Sequence, residues 1–536
     1  MTTPRALDGV TVEIYDTTLR DGAQQEGMNL TVADKLIIAP LLDELGVGVI
    51  EGGWPGAIPK DTEFFGLVDK EIEFEHATFA AFGSTRKPGA RAHDDVQVRA
   101  LLDSAADVVT LVAKSDIRHV ERALRTTGEE NLAMIADTVA YLVGEGRRVI
   151  VDAEHFFDGY RFDPAYALSA LETAFAAGAS DVVLCDTNGG MLPDWVHEIV
   201  SAVRLRSDGA LGIHAHNDSG CAVANSIAAV LAGARQVQGC INGYGERTGN
   251  ADLLTIVANL ELKLGATCLP EGRLAEATRI AHAVSEVTNI PPYGRQPYIG
   301  ASAFAHKAGL HASAIRVDPD LYQHIDPTLV GNDMRMLVSE MAGRASVELK
   351  GRELGIDLTG RPEVLGRVVD RVKNAEAAGY TYDAADASFA LMLREELDGQ
   401  RPTYFRVQSW RASVAYSEKV GGDGESEATV KVHAGGQRFV RTGEGNGPVN
   451  ALDHALRLGL CEVYPEIEAF DLVDFRVRLL DTSHGTDAVT RVLIQTTDGE
   501  RVWSTVGVGP NILEASYEAL VDALVFGLMQ AGIEPR

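Results

Sequence analysis

Short runs of apolar and β-branched residues alternate with longer amphipathic stretches from residue 11 to about residue 260. The intervening stretches 34–45, 96–106, 130–144 and 165–177 have helical periodicity. Eight strand–helix units of this kind predict a parallel sheet that closes on itself, so we expect the α/β class and a (β/α)8 TIM barrel. The eight predicted strands are 12–15, 47–51, 78–82, 108–112, 148–152, 181–185, 211–215 and 236–241.

The regular alternation stops after about residue 265. Proline and glycine clusters then indicate an irregular arm, followed by helices near 346–354 and 362–377. From about residue 402, paired β-runs precede a helix twice, and the two copies align 64 positions apart, which predicts a duplicated βββα unit. We therefore expect a catalytic barrel over 1–270, a linker arm with helical subdomains over 271–400, and an α+β domain over 401–536.

Polar residues follow seven of the eight predicted strands. A polar turn after one strand is ordinary, but polar ends after so many strands suggest the rim where barrel enzymes build their sites. The candidate residues at these ends are Arg20, Asp21, Glu154, Thr187, His214, His216 and Asn250.

The spacing of His214 and His216 predicts a metal site. Alternate residues of a strand point to the same side, so both imidazoles should face the barrel axis. Together with Asp21 and Asn250 they offer mixed nitrogen and oxygen ligands, which suit Mg2+, Mn2+, Co2+ or Zn2+. The absence of thiolate ligands argues against a closed structural zinc site.

Arg20 beside such a metal suits a small 2-oxo acid, whose carboxylate the guanidinium can bridge. Thr187 can donate a second hydrogen bond, although a local turn explains this residue equally well. We expect that Arg20 and Asp21 are not primarily each other's partners, and that Arg20 faces substrate while Asp21 faces the metal. Glu154, His155 and His311 are the candidate proton carriers.

Motifs for several other chemistries are missing. The sequence has no G-x-S-x-G elbow, dinucleotide fingerprint or P-loop, which disfavours covalent catalysis, hydride transfer and phosphoryl transfer. An aldol or Claisen-type reaction that makes or breaks a carbon–carbon bond fits the remaining residues best.

Composition narrows the partners and the compartment. The 536-residue chain is 46% hydrophobic and carries 48 basic against 77 acidic residues, a net charge of −29. Such a surface repels phosphate backbones and anionic lipids, so we expect no nucleic acid and no membrane partner. The five scattered cysteines, without a C-x-x-C pair, and the lack of an apolar leader indicate a reduced, cytoplasmic protein.

Three separated motifs resemble the metal-dependent Claisen-condensing barrel enzymes, the isopropylmalate, homocitrate and citramalate synthases. They are the stretches 16–24 (DTTLRDGAQ), 214–218 (HAHND) and 242–250 (NGYGERTGN). Stretches 51–61 and 152–160 resemble the citramalate branch. The likeness covers nearly the whole chain, and the duplicated C-terminal module is similar to the regulatory domain of the family.

The resemblance implies an acyltransferase that converts the acyl group into an alkyl group on transfer, joining acetyl-CoA to pyruvate to give (R)-citramalate for isoleucine synthesis. It implies inhibition by isoleucine and a homodimer with an exchanged arm. The same resemblance assigns the residues: a metal on Asp21, His214 and His216 with Asn250 at or near it, the oxo-acid carboxylate on Arg20 and Thr187, and catalytic roles for Arg20, Glu154, His311 and Tyr322.

One departure and two competing classes remain at this stage. Asp152 lies where well-described pyruvate-specific relatives carry an aromatic residue, so 2-oxoisovalerate, the acceptor of isopropylmalate synthases, stays an alternative, as does another 2-oxo acid. A lyase or carboxyltransferase would use a similar metal site, although the C-terminal module argues against both. A non-catalytic amino-acid sensor would not need the intact set of site residues.

Overall fold

The computed structural model describes residues 5–104, 106–415, 425–480 and 488–536. Its first part is a closed barrel of eight parallel strands in chain order, as the sequence predicted. Strands one and eight close the barrel, with Glu13 opposite Gln236 and Asp16 opposite Gly239. The strands are β1 (Glu13–Asp16), β2 (Val49–Gly53), β3 (Thr78–Ser84), β4 (Val108–Lys114), β5 (Arg148–Glu154), β6 (Asp181–Asp186), β7 (Ala210–Ala215) and β8 (Gln236–Gly239).

Helices surround the barrel, and local sequence fixes where they begin. In the first, the Thr31 hydroxyl accepts the Asp34 backbone N–H while the Asp34 carboxylate accepts the Thr31 N–H, a capping box. The helices of this part are Val32–Leu45, Pro59–Glu71, Val96–Asp103, Gly128–Gly144, Phe156–Phe162, Pro164–Ala176, Pro193–Arg204, Ala222–Leu231, Leu253–Ala258 and Ala277–Thr288.

Two apolar layers hold the barrel together. A large core lies between strands and helices and contains fully buried residues such as Ile14, Ile38 and Leu211. A smaller cluster fills the barrel interior, with Tyr15 and Ile150 among its members. Because the interior is filled by side chains, function is confined to the ends of the strands.

The chain divides into two compact units, Met1–Phe304 with Ile325–Asp333, and Ala305–His324 with Met334–Arg536. The second unit begins with helices and ends with two antiparallel three-stranded sheets. The helix Asp386–Asp398, which the sequence analysis did not predict, packs Ala387 and Leu391 into the core of those sheets. Its other helices are Gly309–Ile315, Arg344–Glu353, Pro362–Ala377, Pro448–Leu460 and Ile512–Gln530. The remaining strands are β9 (Ala305–His306), β10 (Arg335–Met336), β11 (Phe405–Ala415), β12 (Glu425–Ala434), β13 (Gln437–Gly445), β14 (Asp471–Leu479), β15 (Thr490–Thr497) and β16 (Val502–Gly509).

The predicted duplication is visible in equivalent close contacts. A Cβ atom on Gly443 would lie 2.5 Å from the backbone nitrogen of Ala455, in the helix that follows β13. In the second copy, a Cβ atom on Gly507 would lie 2.0 Å from the carbonyl oxygen of Ala515. Each sheet therefore presses its own helix against a glycine at the same place in the repeat.

Two further features concern the cysteines and the helix lengths. All five cysteines are free thiols, and Cys185 and Cys240 are buried. Within the described part of the chain, every helix is too short or too polar to cross a bilayer.

Candidate active site

The carboxyl ends of the barrel strands bring six of the seven rim residues named above around one small cavity. Its volume is about 80 Å³, below the usual size of pockets for drug-sized ligands. Asn250 lies directly behind it, because it forms an antiparallel bridge with His216. The cavity is lined by Arg20, Asp21, Phe82, Val112, Asp152, Glu154, Cys185, Thr187, His214 and His216.

Asp21, His214 and His216 form a group that can hold a metal ion. Their candidate ligand atoms all lie within 4.8 Å of one another, and all three residues are buried. The Nε2 atoms of the two histidines are 3.4 Å apart, and His214 Nε2 is 3.6 Å from Asp21 Oδ2. Two imidazole nitrogens and one carboxylate oxygen, aimed at one point, are a ligand set that divalent transition metals accept.

The amide of Asn250 completes this group. Its Nδ2 atom donates to Asp21 Oδ1 at 3.1 Å and to the carbonyl oxygen of Tyr244, also at 3.1 Å. Its Oδ1 atom is buried and accepts no hydrogen bond from any described residue. A buried carbonyl oxygen without a donor is costly, and a cation would satisfy it. The residues present therefore fit a metal ion.

The glycine-rich loop after β8 makes room for this amide. Gly245 has φ +146°, a conformation that residues with a side chain rarely adopt. A Cβ atom at Gly245 would lie 2.3 Å from Asn250 Nδ2. The glycine is needed both for the backbone turn and for the close approach of Asn250.

Arg20 is held by two carboxylates and an aromatic ring. Its Nη1 atom pairs with Asp21 Oδ2 at 2.9 Å and its Nε atom with Glu51 Oε1 at 2.5 Å. The pair is not a closed one, because Arg20 also binds Glu51 and Asp21 also faces His214. A buried guanidinium needs anionic acceptors, and two lie within reach. That Arg20 faces substrate and Asp21 the metal stays a prediction. Its flat face packs 3.8 Å from the Phe82 ring centroid, which fixes its orientation.

Thr187 and Glu154 lie on the opposite wall. The Thr187 hydroxyl oxygen accepts the His155 backbone N–H at 2.9 Å, so its own hydrogen can still be donated into the cavity. The Glu154 carboxylate forms an ion pair with Lys114. Both side chains are half-buried and reach the cavity.

His311 and Tyr322 belong to the second unit. Their rings stack with centroids 4.1 Å apart, and the ring of His306 lies 6.0 Å from that of His311. The structure thus brings the two predicted arm residues to each other, on the helix Gly309–Ile315 and in the turn just after it.

Two buried polar residues of the site, Glu51 and Gln238, escaped the sequence analysis as individual candidates. Glu51 binds Arg20, and its second oxygen accepts the Tyr15 hydroxyl at 2.7 Å. Gln238 bridges His214 Nδ1 and Asp152 Oδ1, at 2.9 Å to each. A polar side chain within an otherwise apolar strand run was the available signal, since buried strands seldom carry one without a partner.

The surroundings of the site residues shift their pKa values in different directions. Burial opposes ionisation of Asp21, but Arg20 and His214 outweigh it and hold the pKa of Asp21 well below its usual range. Burial, and then the neighbouring His214, lower the pKa of His216 to about 4, so the His216 imidazole is neutral at pH 7. Burial, with Glu51 nearby, raises the pKa of Asp152 to about 8. An ionised carboxylate and a neutral imidazole are the forms that bind metals.

Three family models match successive parts of the chain. Residues 11–283 match the HMGL-like family, residues 298–379 the homocitrate synthase post-HMGL domain-like family, and residues 383–527 the LeuA allosteric (dimerisation) domain. Together these matches span the barrel, the arm and the duplicated sheets.

Individual relatives match over their whole length. An (R)-citramalate synthase of Streptomyces coelicolor is 62% identical over 535 residues, which is 100% of both chains. An (R)-citramalate synthase of Synechocystis is 49% identical over 96% of each chain. A 2-isopropylmalate synthase of Methylorubrum populi is 32% identical over 98% of this chain and 96% of its own. The chain therefore belongs to the citramalate synthase branch of the isopropylmalate and homocitrate synthase family of acyltransferases.

Proposed function

We propose that the protein condenses acetyl-CoA with pyruvate to give (R)-citramalate and CoA. The observation that carries this proposal is the convergence of Arg20 with the group Asp21, His214, His216 and Asn250 around a cavity of about 80 Å³. A guanidinium next to a cation site fits a 2-oxo acid, and the small volume favours the smallest acceptor. The named activity of the full-length relatives supports the same substrates.

The reaction has two stages, a condensation and a hydrolysis. A proton leaves the methyl group of acetyl-CoA, the resulting carbon attacks C2 of pyruvate, and the former keto oxygen takes up a proton. Water then cleaves the thioester, which releases citramalate and the CoA thiol. The metal held by Asp21, His214, His216 and Asn250 supplies, when bound, positive charge near the oxygen that becomes negative.

Arg20 and Thr187 bind and orient the acceptor. Arg20 uses Nε for Glu51 and Nη1 for Asp21, while Nη2 hydrogen-bonds to none of the described residues and is available for the carboxylate of pyruvate. The Thr187 hydroxyl donates to the same carboxylate from the opposite wall. Both are donors positioned before the reaction begins, so little reorganisation is needed as charge develops.

Proton transfer from acetyl-CoA falls to Glu154 and His311, with Tyr322 beside His311. The Glu154 carboxylate, paired with Lys114, is the proton acceptor in this assignment. The Tyr322 ring holds the imidazole of His311 by stacking. We assign the step to these two bases because both lie in segments that resemble the family's catalytic motifs.

The acceptor is tested by measuring CoA release with pyruvate, 2-oxoisovalerate and 2-oxoglutarate. Pyruvate should be preferred by at least about tenfold in kcat/KM, because the cavity is small and pyruvate is the smallest of the three acceptors. A clear preference for 2-oxoisovalerate would instead make the enzyme a 2-isopropylmalate synthase in the leucine pathway.

Asp21→Asn and His214→Gln should abolish activity and Mn2+ binding together. Retained activity in either variant would refute the metal assignment.

The duplicated domain, 401–536, is proposed to bind isoleucine and inhibit the enzyme in isoleucine synthesis. The match of 383–527 to an allosteric and dimerisation domain supports regulation and dimerisation. We propose in addition that the homodimer is cytoplasmic and exchanges its arms. A thermal-shift titration with isoleucine, leucine and valine tests the effector. No response to any of the three amino acids would exclude this regulation.

Arm exchange predicts that mixing Arg20→Gln with His311→Ala subunits restores part of the activity. Failure to restore activity would exclude the exchange.

A further inference from the structure

Gln238 links the proposed metal group to the interior of the barrel. It lies on β8, directly opposite His214 on β7, and its side chain is fully buried. Its Oε1 atom is 2.9 Å from His214 Nδ1, and its Nε2 atom donates to Asp152 Oδ1 at 2.9 Å. The three residues form a hydrogen-bonded row from β5 to β7.

The direction of these hydrogen bonds determines the form of His214. An amide oxygen only accepts, so His214 Nδ1 must carry the hydrogen and Nε2 must carry the lone pair. That Nε2 atom faces His216 Nε2 and Asp21 Oδ2, the other two candidate ligands. A reversed amide would present N–H groups to Nδ1 and move the hydrogen to Nε2, where it would block a metal.

Asp152 provides the reason that the amide is not reversed. Its Oδ1 atom accepts the Gln238 N–H, so the oxygen of the amide is directed to the other side, toward His214. His216 has no comparable support, because its Nδ1 atom is buried without a hydrogen bond to any described residue. Of the two histidines, His214 is the one held in a fixed orientation.

We propose that Gln238 is a positioning residue that holds His214 in the Nδ1–H tautomer, with the Nε2 lone pair aimed at a divalent metal ion, and that Asp152 sets the orientation of the Gln238 amide. This inference rests on the metal site of the proposed function. Residues that orient a metal-binding histidine in this way typically change metal affinity by about 10–100-fold when they are replaced.

Gln236 is a matched control. It is also a buried glutamine on β8, two residues away and therefore on the same side of the strand. Its Nε2 atom binds Glu13 Oε2 at 2.6 Å, at the opposite end of the strand. Loss of either amide removes a buried hydrogen bond of the barrel, but only Gln238 contacts a candidate ligand.

The test is calorimetric titration of the metal-stripped, full-length protein with Mn2+. Gln238→Met should bind about 10–100-fold more weakly than the unmodified chain, whereas Gln236→Met should stay within about threefold. A Gln238→Glu, Asp152→Asn double variant keeps an acceptor at His214 Nδ1 and a donor at position 152, and should recover affinity to within about fivefold.

A second readout does not depend on metal. Long-range ¹H–¹⁵N spectra of the metal-free protein, assigned with His214→Gln, should report the Nδ1–H tautomer, which Gln238→Met should lose. An Nε2–H tautomer in the unmodified protein would overturn the proposal, as would unchanged Mn2+ affinity in Gln238→Met. If Gln238→Met does not fold, weak binding by the folded double variant overturns it. If the unmodified chain binds no divalent metal, the proposed function fails instead.

Discussion

Gly245→Ala tests whether the loop after β8 serves the site through Asn250. The new Cβ atom would lie 2.3 Å from Asn250 Nδ2, so the amide must move by about 1 Å to reach ordinary contact at 3.4 Å. That movement breaks the 3.1 Å hydrogen bond from Nδ2 to Asp21. A misplacement of about 1 Å in an active site can lower the rate about 100-fold, or about 2.7 kcal/mol of barrier.

Gly272→Ala separates this effect from backbone strain. Gly272 also has a positive φ, +84°, but a Cβ atom there meets nothing within 4 Å. Both variants should therefore lose about 1–3 kcal/mol of folding stability, because a positive φ is unfavourable for alanine. Only Gly245→Ala should also lose kcat/KM.

The assay is release of the CoA thiol from acetyl-CoA and pyruvate, measured with a thiol reagent below the melting temperature of each variant. We expect kcat/KM to fall about 100-fold in Gly245→Ala and less than about threefold in Gly272→Ala. Equal activity in the two variants would refute the idea that Gly245 is required for the position of Asn250.

Three further predictions concern other parts of the molecule. Arg20→Lys should lower kcat/KM about 100–1,000-fold in the same assay, because lysine cannot bind both Glu51 and the substrate. Near-normal activity would contradict the role of the guanidinium. Because burial and Glu51 raise the pKa of Asp152 from 3.8 to about 8, folding stability should fall as pH rises through this window. Asp152→Asn should flatten that fall in urea titrations, and an unchanged slope would argue against it. Gly507→Ala should destabilise the second unit by about 1–3 kcal/mol in thermal unfolding. Gly366→Ala is the control, because the nearest atom to its new Cβ would be 3.6 Å away, and it should not destabilise the unit. Equal melting temperatures for the two variants would show that the close contact at Gly507 does not matter for stability.

The barrel could be predicted from sequence because its signal is repeated eight times. Each strand is a short apolar run, and each is followed by a helical pattern, so errors at single boundaries do not change the topology. The last predicted strand, for example, was drawn to residue 241 but ends at Gly239. The duplicated sheets could be predicted for the same reason, because the repeat has a glycine at the equivalent positions Gly443 and Gly507.

The polar contacts below the rim were not predictable in the same way. Gln238 and Asp152 are 86 positions apart, and their pairing depends on barrel register rather than on any local motif. Glu51 was noticed only as part of a polar strand end, because sequence shows neither its burial nor its contact with Arg20. Side-chain direction inside a barrel follows from which strands are neighbours, which single-strand patterns do not specify.

The contacts of Arg20 change how the site is understood. Asp21 is shared between a guanidinium and an imidazole, and Glu51 supplies a second carboxylate to the same guanidinium. Two acidic groups against one arginine leave a buried excess of negative charge, which is unfavourable unless a cation shares it. The ion pair between neighbouring residues is therefore compatible with a cation site and contributes to it, since Arg20 fixes the carboxylate of Asp21 while Oδ2 still faces His214 Nε2 at 3.6 Å.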